Sequence, residues 1–218
     1  ITLLEKVNNG YPLQYITNKQ QFMGEEFYVD ENVLIPQPDT EILVEKTIEI
    51  AKENKANKIL DLCTGSGAIA ISLKKYLPNI EVTASDISKK ALEVANKNAK
   101  SLNTTINFIE SDMFKNIKDK FDIIVSNPPY IKTDVINTLD KDVKHEPIIA
   151  LDGGLDGLKF YKAIRKDVEK YLKENGTVIM EIGFDQKEEV LNLFEGAICI
   201  KDYENRDRVV IWNHFQAK

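Results

Sequence analysis

The sequence predicts an α/β fold: a mostly parallel seven-stranded sheet with helices on both faces and one reversed strand at the end, preceded by a small N-terminal β-hairpin region. Three observations carry this reading. From residue 58 onward, short apolar runs alternate regularly with longer amphipathic ones. The apolar runs are near-continuous rather than alternating, which is the mark of strands covered on both faces. The last two runs, Ala197–Tyr203 and Arg208–Phe215, are separated by a turn too short for a parallel crossover, so they form a hairpin.

Taken in order, residues 1–10 read as the tail of a helix ending at Gly10, with Pro12 as a stop. Leu13–Ile16 and Phe27–Leu34 alternate around Gly24 and form the hairpin region. Pro36-Gln37-Pro38 breaks the chain, and Asp39 caps a helix running to about Asn54. A strand over Lys58–Cys63 leads to a helix over Ala68–Leu77. Ile80–Ser85 is a strand and Ser88–Leu102 a helix. Ile106–Ile109 is a short strand and Phe121–Ser126 a strongly apolar one. Gly157–Glu174 reads as a helix closed by Gly176, Thr177–Ile182 as a strand and Gln186–Phe194 as a helix before the final hairpin.

Composition narrows the function classes. A chain of 218 residues, 43% hydrophobic and 29% charged, holds one domain with a real core and at most a small appendage. It has no apolar run of about 18 residues and no secretory signal pattern, so no membrane association is expected. The net charge of −6 argues against a dedicated duplex-DNA binder, and no stable nucleic-acid partner is expected. Cys63 and Cys199 form no C-x-x-C, which fits a reducing cytoplasm, and His145 and His214 belong to no zinc-ligand cluster, so no metal is expected. A monomer is expected. The chain opens on Ile1 rather than Met, as a piece of a longer protein would.

The first strand of the alternating region runs into Asp61-Leu62-Cys63-Thr64-Gly65-Ser66-Gly67. A glycine turn between strand and helix lets the backbone approach a ligand closely. Asp86 and Ile87 follow the second strand, Asp86 standing 21 positions after Gly65, where a carboxylate accepts both ribose hydroxyls of an adenosine. Asp86 also fits a helix cap ahead of Ser88, and the two roles coexist. S-adenosylmethionine (AdoMet) carries an ammonium and no pyrophosphate; Asp61 attracts the first and would repel the second, although a hydrogen bond to local backbone is the plainer role. Asp112-Met113 follows the third strand, where an adenine would lie; a turn residue and a core residue fit equally well. The reversed strand is a further pointer, since AdoMet-dependent methyltransferases have it and dinucleotide dehydrogenases usually lack it.

The most specific signal is Asn127-Pro128-Pro129-Tyr130 at the end of the apolar strand over Phe121–Ser126. The two prolines fix φ and remove two backbone donors, leaving a rigid platform of acceptors: the Asn127 side-chain oxygen and the Pro128 carbonyl, beside the flat face of Tyr130. Two such acceptors grip both hydrogens of an amide or exocyclic amino nitrogen and help its delocalised lone pair point at a methyl donor. Asp152–Gly157 resembles the start of a calcium loop, but position twelve is Ala163 rather than Glu, so a turn and helix start is the reading. His145 and Glu146, in the long loop after this motif, are candidates to line the site but read better as solvated loop residues, and Glu181 is an outside candidate at a strand end.

These residues resemble the release-factor glutamine methyltransferases (the HemK/PrmC family) over essentially the whole chain. The matching stretches are Pro12–Ile16 (PLQYI), Leu34–Glu41 (LIPQPDTE), Asp61–Ala70 (DLCTGSGAIA) and Phe121–Ile131 (FDIIVSNPPYI). Glu146–Leu158 (EPIIALDGGLDGL), Glu181–Gly183 (EIG) and Arg206–Val210 (RDRVV) complete the set. The resemblance implies a Rossmann-like class I methyltransferase domain over residues 37–218. Residues 1–36 would be the end of an N-terminal helical domain with its linker and the hairpin. It implies methylation of the side-chain amide of the glutamine in the Gly-Gly-Gln motif of peptide chain release factors. AdoMet contacts are implied at Cys63–Gly67, Asp86, Met113 and Asn127, and substrate contacts at Asn127 to Tyr130. Cys63 stands where many relatives have Gly and Gln37 where Arg is usual. With only the end of the docking domain, the chain is expected to bind AdoMet and to handle its protein substrate less well. The alternative activity is methylation of an adenine or guanine amino group, since the Asn-Pro-Pro-Tyr motif is shared with such enzymes.

Overall fold

The computed structural model describes residues 3–213; the end of the last expected strand, at Phe215, lies outside the described residues. The chain begins with helices α1 (Leu3–Asn8) and α2 (Leu13–Thr17), then a two-stranded hairpin, β1 (Gln20–Phe22) and β2 (Glu25–Phe27). Helix α3 (Glu41–Glu53) leads into the alternating region: β3 (Lys58–Leu62), α4 (Ala68–Tyr76), β4 (Glu81–Asp86), α5 (Lys89–Ser101), β5 (Asn107–Glu110) and β6 (Phe121–Ser126). Two short helices follow, α6 (Ile148–Leu151) and α7 (Lys159–Asp167), then β7 (Leu172–Glu181), α8 (Lys187–Leu193), β8 (Ile198–Lys201) and β9 (Asp207–Asn213). Among the described residues no helix is long and apolar enough to cross a membrane.

The seven long strands make one sheet in the order β5-β4-β3-β6-β7-β9-β8. β3 to β7 run parallel, and β9 runs antiparallel to both β7 and β8. The reversed strand is therefore last in sequence but sits one place in from the edge. Alternate residues of the central strands feed opposite layers. Ile59, Ile123 and Ile179 pack with Leu43 and Val44 of α3 and Ile71 and Leu73 of α4. Leu60, Ile124 and Val178 pack with Tyr161 and Ile164 of α7 and Val190 of α8. Both faces are buried, as the continuous apolar strands required.

The chain starts its sheet at β3, moves outward to β5, and crosses back to β6 on the other side of β3. Adjacent parallel strands whose connections leave in opposite directions open a crevice at their carboxyl ends. Leu62 and Ser126 are register partners, and the Ser126 hydroxyl donates to the Leu62 carbonyl at 2.8 Å. The two segments singled out in the sequence, Cys63–Gly67 and Asn127–Tyr130, thus leave the sheet side by side.

Four local expectations are corrected. Leu13–Ile16 is helical, because a four-residue apolar run does not distinguish the two periods and Pro12 opens a helix better than it opens a strand. The second hairpin strand stops at Phe27, so the expected Phe27–Leu34 strand is mostly loop. Asn98 substitutes for a strand neighbour, accepting from the Tyr28 amide at 2.7 Å and donating to its carbonyl at 3.0 Å. Asp39 does not cap α3; residues 38–40 form a 3₁₀ turn, and the Asp39 carboxylate pairs with Arg206 and Arg208, each at 3.0 Å. The helix expected to reach Glu174 ends at Asp167, and Leu172 pairs with Phe121 to start β7. Gly176 therefore lies inside a strand, next to a register irregularity.

Candidate functional site

Two cavities open along the carboxyl edge of the sheet, and Asn127 lies on the wall of both. The smaller, of about 350 Å³, lies over the β3–α4 turn. The turn is built from positive-φ backbone: Cys63 at 61°, Gly65 at 55° and Gly67 at 81°. For Cys63 this left-handed conformation costs roughly 1–2 kcal/mol that a glycine would not incur. The strain is held by a dense local network. Asp61, fully buried, accepts from the Thr64 hydroxyl at 2.6 Å and the Ala70 amide at 3.2 Å, while the Thr64 amide donates to the Ser85 carbonyl at 3.0 Å. Asp61 Oδ1 has no hydrogen-bond partner among the described residues, and burial lifts the carboxyl pKa to about 7.

Asp86 ties the turn to the next strand. Its carboxylate accepts from the Gly65 amide at 2.9 Å and from the Ser88 amide at 2.8 Å. Burial raises its pKa, and those backbone donors pull it back. Ser88 itself caps α5, accepting from the Ala91 amide. A Cβ placed on Gly65 would meet no protein atom within 4 Å, whereas one on Gly67 would lie 3.0 Å from both Ala95 and Ile71. Gly67 is therefore glycine for helix packing, and Gly65 for a space outside the protein. The rest of the smaller cavity is apolar at Ile87, Met113 and Phe160, with Asp112 beside them. Burial, with Asp86 and Asp61 nearby, keeps Cys63 a neutral thiol.

Of the residues expected around a cofactor, Cys63, Gly65, Asp86, Ile87, Asp112, Met113 and Asn127 line this cavity. Asp61, Thr64, Ser66 and Gly67 lie behind its wall, where they shape the turn; the Ser66 carbonyl accepts from Asn98 at 2.9 Å. Pro129 also faces this cavity rather than the larger one.

The larger cavity, of about 620 Å³, is lined by Asn127, Pro128 and Tyr130 on one side and by Tyr11–Gln14 on the other. Asn127 Nδ2 donates to the Thr40 hydroxyl at 3.2 Å. The Tyr130 hydroxyl donates to Glu181 Oε1 at 3.3 Å. Glu181 is 2% exposed; burial lifts its pKa to about 7 against the opposing pull of the nearby Thr40 and Tyr130 hydroxyls and the Arg208 charge, and its Oε2 has no hydrogen-bond partner among the described residues. Glu146, expected as a solvated loop residue, is 7% exposed and accepts from the Ile35 amide at 2.8 Å, and burial lifts its pKa to about 7 as well. His145 is exposed, its ring 5.1 Å from that of Tyr11.

Gln186, Gly153 and Gly157, to which the sequence assigned no part in the site, hold the motif in place. The Gln186 side chain donates to the Tyr130 carbonyl at 3.0 Å and to the Gly157 carbonyl at 3.2 Å. A Cβ on Gly157 would fall 2.6 Å from the Tyr130 carbonyl oxygen, and one on Gly153 would fall 2.7 Å from Tyr130 backbone. Ile131 is bridged to Asp152 next door. The Asp152–Gly157 segment is thus a backing plate for Asn127–Tyr130. Its glycines were the available signal, but only as a turn.

The arrangement joins an acid-bearing, partly apolar cavity to a larger one through one asparagine. The model of the methyltransferase small domain matches residues 38–147. A release factor glutamine methyltransferase of Clostridium acetobutylicum is 48% identical over 92% of this chain and 74% of its own length. One of Agrobacterium fabrum is 43% identical over 95% of this chain and 76% of its own. The crystal structure of the ribosomal protein L11 methylase from Lactobacillus delbrueckii shares the fold, with a TM-score of 0.58 at 22% identity over 81% of this chain and 80% of that one.

Proposed function

The chain belongs to the release factor glutamine methyltransferase family, and from that membership and the two-cavity site we infer that it moves a methyl group from AdoMet to the side-chain amide of the glutamine in the Gly-Gly-Gln motif of peptide chain release factors. The relatives favour this reading over methylation of a nucleic-acid amino group. One observation carries it: Asn127 stands on the wall of both cavities with its Nδ2 donating to Thr40, which leaves Oδ1 available as an acceptor.

The smaller cavity fits AdoMet. Asp86 offers carboxylate oxygens for the ribose hydroxyls, Ile87 and Met113 offer an apolar slot for the adenine with Asp112 beside its amino group, and Gly65 leaves open the space that a side chain would fill. Asp61, Thr64, Ser66 and Gly67 act on the cofactor through the turn they shape. Once bound, AdoMet supplies an electrophilic methyl group on a sulfonium. The chain's own task is to bring a weak nucleophile to it in line. Asn127 Oδ1 and the Pro128 carbonyl accept the two amide hydrogens, and Tyr130 packs on the amide plane. Orientation of this kind is worth roughly 7–11 kcal/mol of a barrier. With AdoMet bound, the methyl would pass from its sulfonium to the amide nitrogen, leaving the neutral thioether, and the larger cavity would give the proton shed by that nitrogen a path to solvent. No residue has to remove that proton beforehand.

A glutamate in place of the glutamine brings no hydrogen to either acceptor, and sites of this construction discriminate by roughly 10⁴–10⁵. The test is transfer of labelled methyl from AdoMet to a purified release factor, with a factor lacking the motif glutamine as control. Label in the first alone supports the reading; label in both, or in RNA instead, overturns it.

A further inference from the structure

The Asn127 side chain is held from outside its own loop. Its Nδ2 donates to the hydroxyl of Thr40, 87 positions away in sequence, at 3.2 Å. Where that hydroxyl sits depends on the 3₁₀ turn over residues 38–40, closed by the Thr40 amide on the Gln37 carbonyl at 3.1 Å. Pro36 and Pro38 give this stretch no backbone N–H of their own, and it belongs to no strand. Its placement therefore falls to side chains, and Asp39 is the one that reaches the far end of the chain. Asp39 Oδ2 is met by Arg206 Nη2 and Arg208 Nη2, each at 3.0 Å.

Both arginines are aimed by Asp202, in the turn between β8 and β9. Asp202 Oδ1 accepts from the amides of Glu204 at 3.0 Å and Arg206 at 2.9 Å, which shapes the turn. Its Oδ2 accepts from Nε of Arg206 and Nε of Arg208, each at 3.2 Å. The Asp202 and Arg208 side chains are buried. A guanidinium is a rigid fork, so one held at Nε presents its other donors in a set direction. The same turn ties to α3 at a second point, where the Tyr203 hydroxyl donates to Glu45 at 2.5 Å. The final hairpin thus braces the turn that carries Thr40 and the helix that follows it.

We propose that Asp39 is a positioning residue of the transfer: clamped by Arg206 and Arg208, it fixes the Thr40 hydroxyl and, through it, the Asn127 side chain on the wall between the two cavities. The proposal rests on the glutamine reading and deepens it. Neither Asp39 nor Thr40 lines the smaller cavity, so the clamp acts on the acceptor side alone. Loss of Asp39 leaves Arg208 paired with Asp202, and Arg206 with Asp202 and Glu204, so the hairpin keeps its own partners while the 38–40 turn is released.

The experiment measures kcat and KM on a release factor for the wild-type chain, Asp39→Ala, Asn127→Ala and the double variant, with the Kd for AdoMet and the melting temperature as checks on the fold. Asp39→Ala is expected to lower kcat about 10- to 100-fold, the size of a small misplacement at a reacting centre, with AdoMet affinity unchanged. In the Asn127→Ala background the same substitution should leave kcat within about threefold, because a residue that acts through Asn127 has nothing left to position. Asp39→Asn keeps the shape and one acceptor; it should lose less, with the same dependence on Asn127. An active wild type in which Asp39→Ala costs nothing, or costs the same factor with and without Asn127, overturns the proposal and leaves the glutamine reading standing. A wild type that binds AdoMet yet methylates no release factor overturns the reading, and the proposal with it.

Discussion

Tyr130 occupies the space where Gly153 would carry a side chain: a Cβ built there lies 2.7 Å from both the Cα and the carbonyl carbon of Tyr130. The two residues are joined through the ladder beside them, in which the Gly153 amide donates to the Ile131 carbonyl at 2.8 Å. Gly153→Ala is therefore expected to push the acceptor motif out of place, with a stability loss of roughly 1–3 kcal/mol, typical of overpacking. Methyl transfer should fall much further than AdoMet binding, since Tyr130 does not line the smaller cavity. Thermal melting, AdoMet titration and single-turnover transfer check this together; an alanine variant of wild-type activity refutes the backing role.

Asn127→Ala removes the acceptor shared by the two cavities. By comparison with single hydrogen-bonding groups in other active sites, kcat should drop roughly 10²–10³-fold. AdoMet keeps Asp86 and the glycine turn, so its Kd should change far less. A parallel loss of binding and transfer, measured by calorimetry and by methyl label, assigns Asn127 to cofactor binding instead.

Asp86 accepts from the backbone on both sides of the smaller cavity, at Gly65 and at Ser88. Asp86→Ala removes a charged acceptor from the cofactor and slackens the turn, so AdoMet affinity should weaken by about 10- to 100-fold. Asp86→Asn keeps one acceptor for the turn and should fall between the two. An alanine variant with wild-type AdoMet affinity in calorimetry removes Asp86 from the cofactor site.

Burial lifts Asp61, Glu146 and Glu181 to about 7. In the unfolded chain such carboxyls titrate near about 4. Between those values the folded form binds more protons than the unfolded one, so stability falls as pH rises through the window. The melting temperature of the cofactor-free chain should decline from about pH 5 to about pH 8, and Glu181→Gln should flatten part of that slope. Glu181 is faced by Arg208 from β9, Tyr130 from the acceptor motif and Asp39 from the 38–40 turn, while the Tyr161 hydroxyl from α7 binds the Glu181 backbone carbonyl. A Glu181→Gln variant whose melting temperature falls with pH as steeply as the wild type's contradicts this account.

The strand-helix alternation was legible because each element is written locally, in five or six apolar residues of the right period. The glycine turn and Asn127–Tyr130 were legible for the same reason. Their proximity followed from one topological fact, the crossing from β5 back to β6. What the sequence hid were partners distant along the chain. Thr40 reads as an ordinary helix-start residue until Asn127, 87 positions on, is seen donating to its hydroxyl. Gly153 and Gly157 read as turn glycines until Tyr130 is seen pressed against them. Gln186 reads as the first residue of a helix until its side-chain amide is seen to reach the Tyr130 carbonyl. The misplacement of Asp39 has the same origin: a nearby cap is visible in sequence, and a pair of arginines on the last strand and the turn before it is not.

The central claim is that Asn127 presents an oxygen to a glutamine amide on a protein. Mass-spectrometric mapping of a release factor after incubation with the chain and AdoMet tests it most directly. The account predicts one added methyl group, on the side-chain nitrogen of the Gly-Gly-Gln glutamine, absent when Asn127→Ala replaces the wild type. A methyl group on any other residue, or an unmodified factor beside methylated nucleic acid, contradicts it.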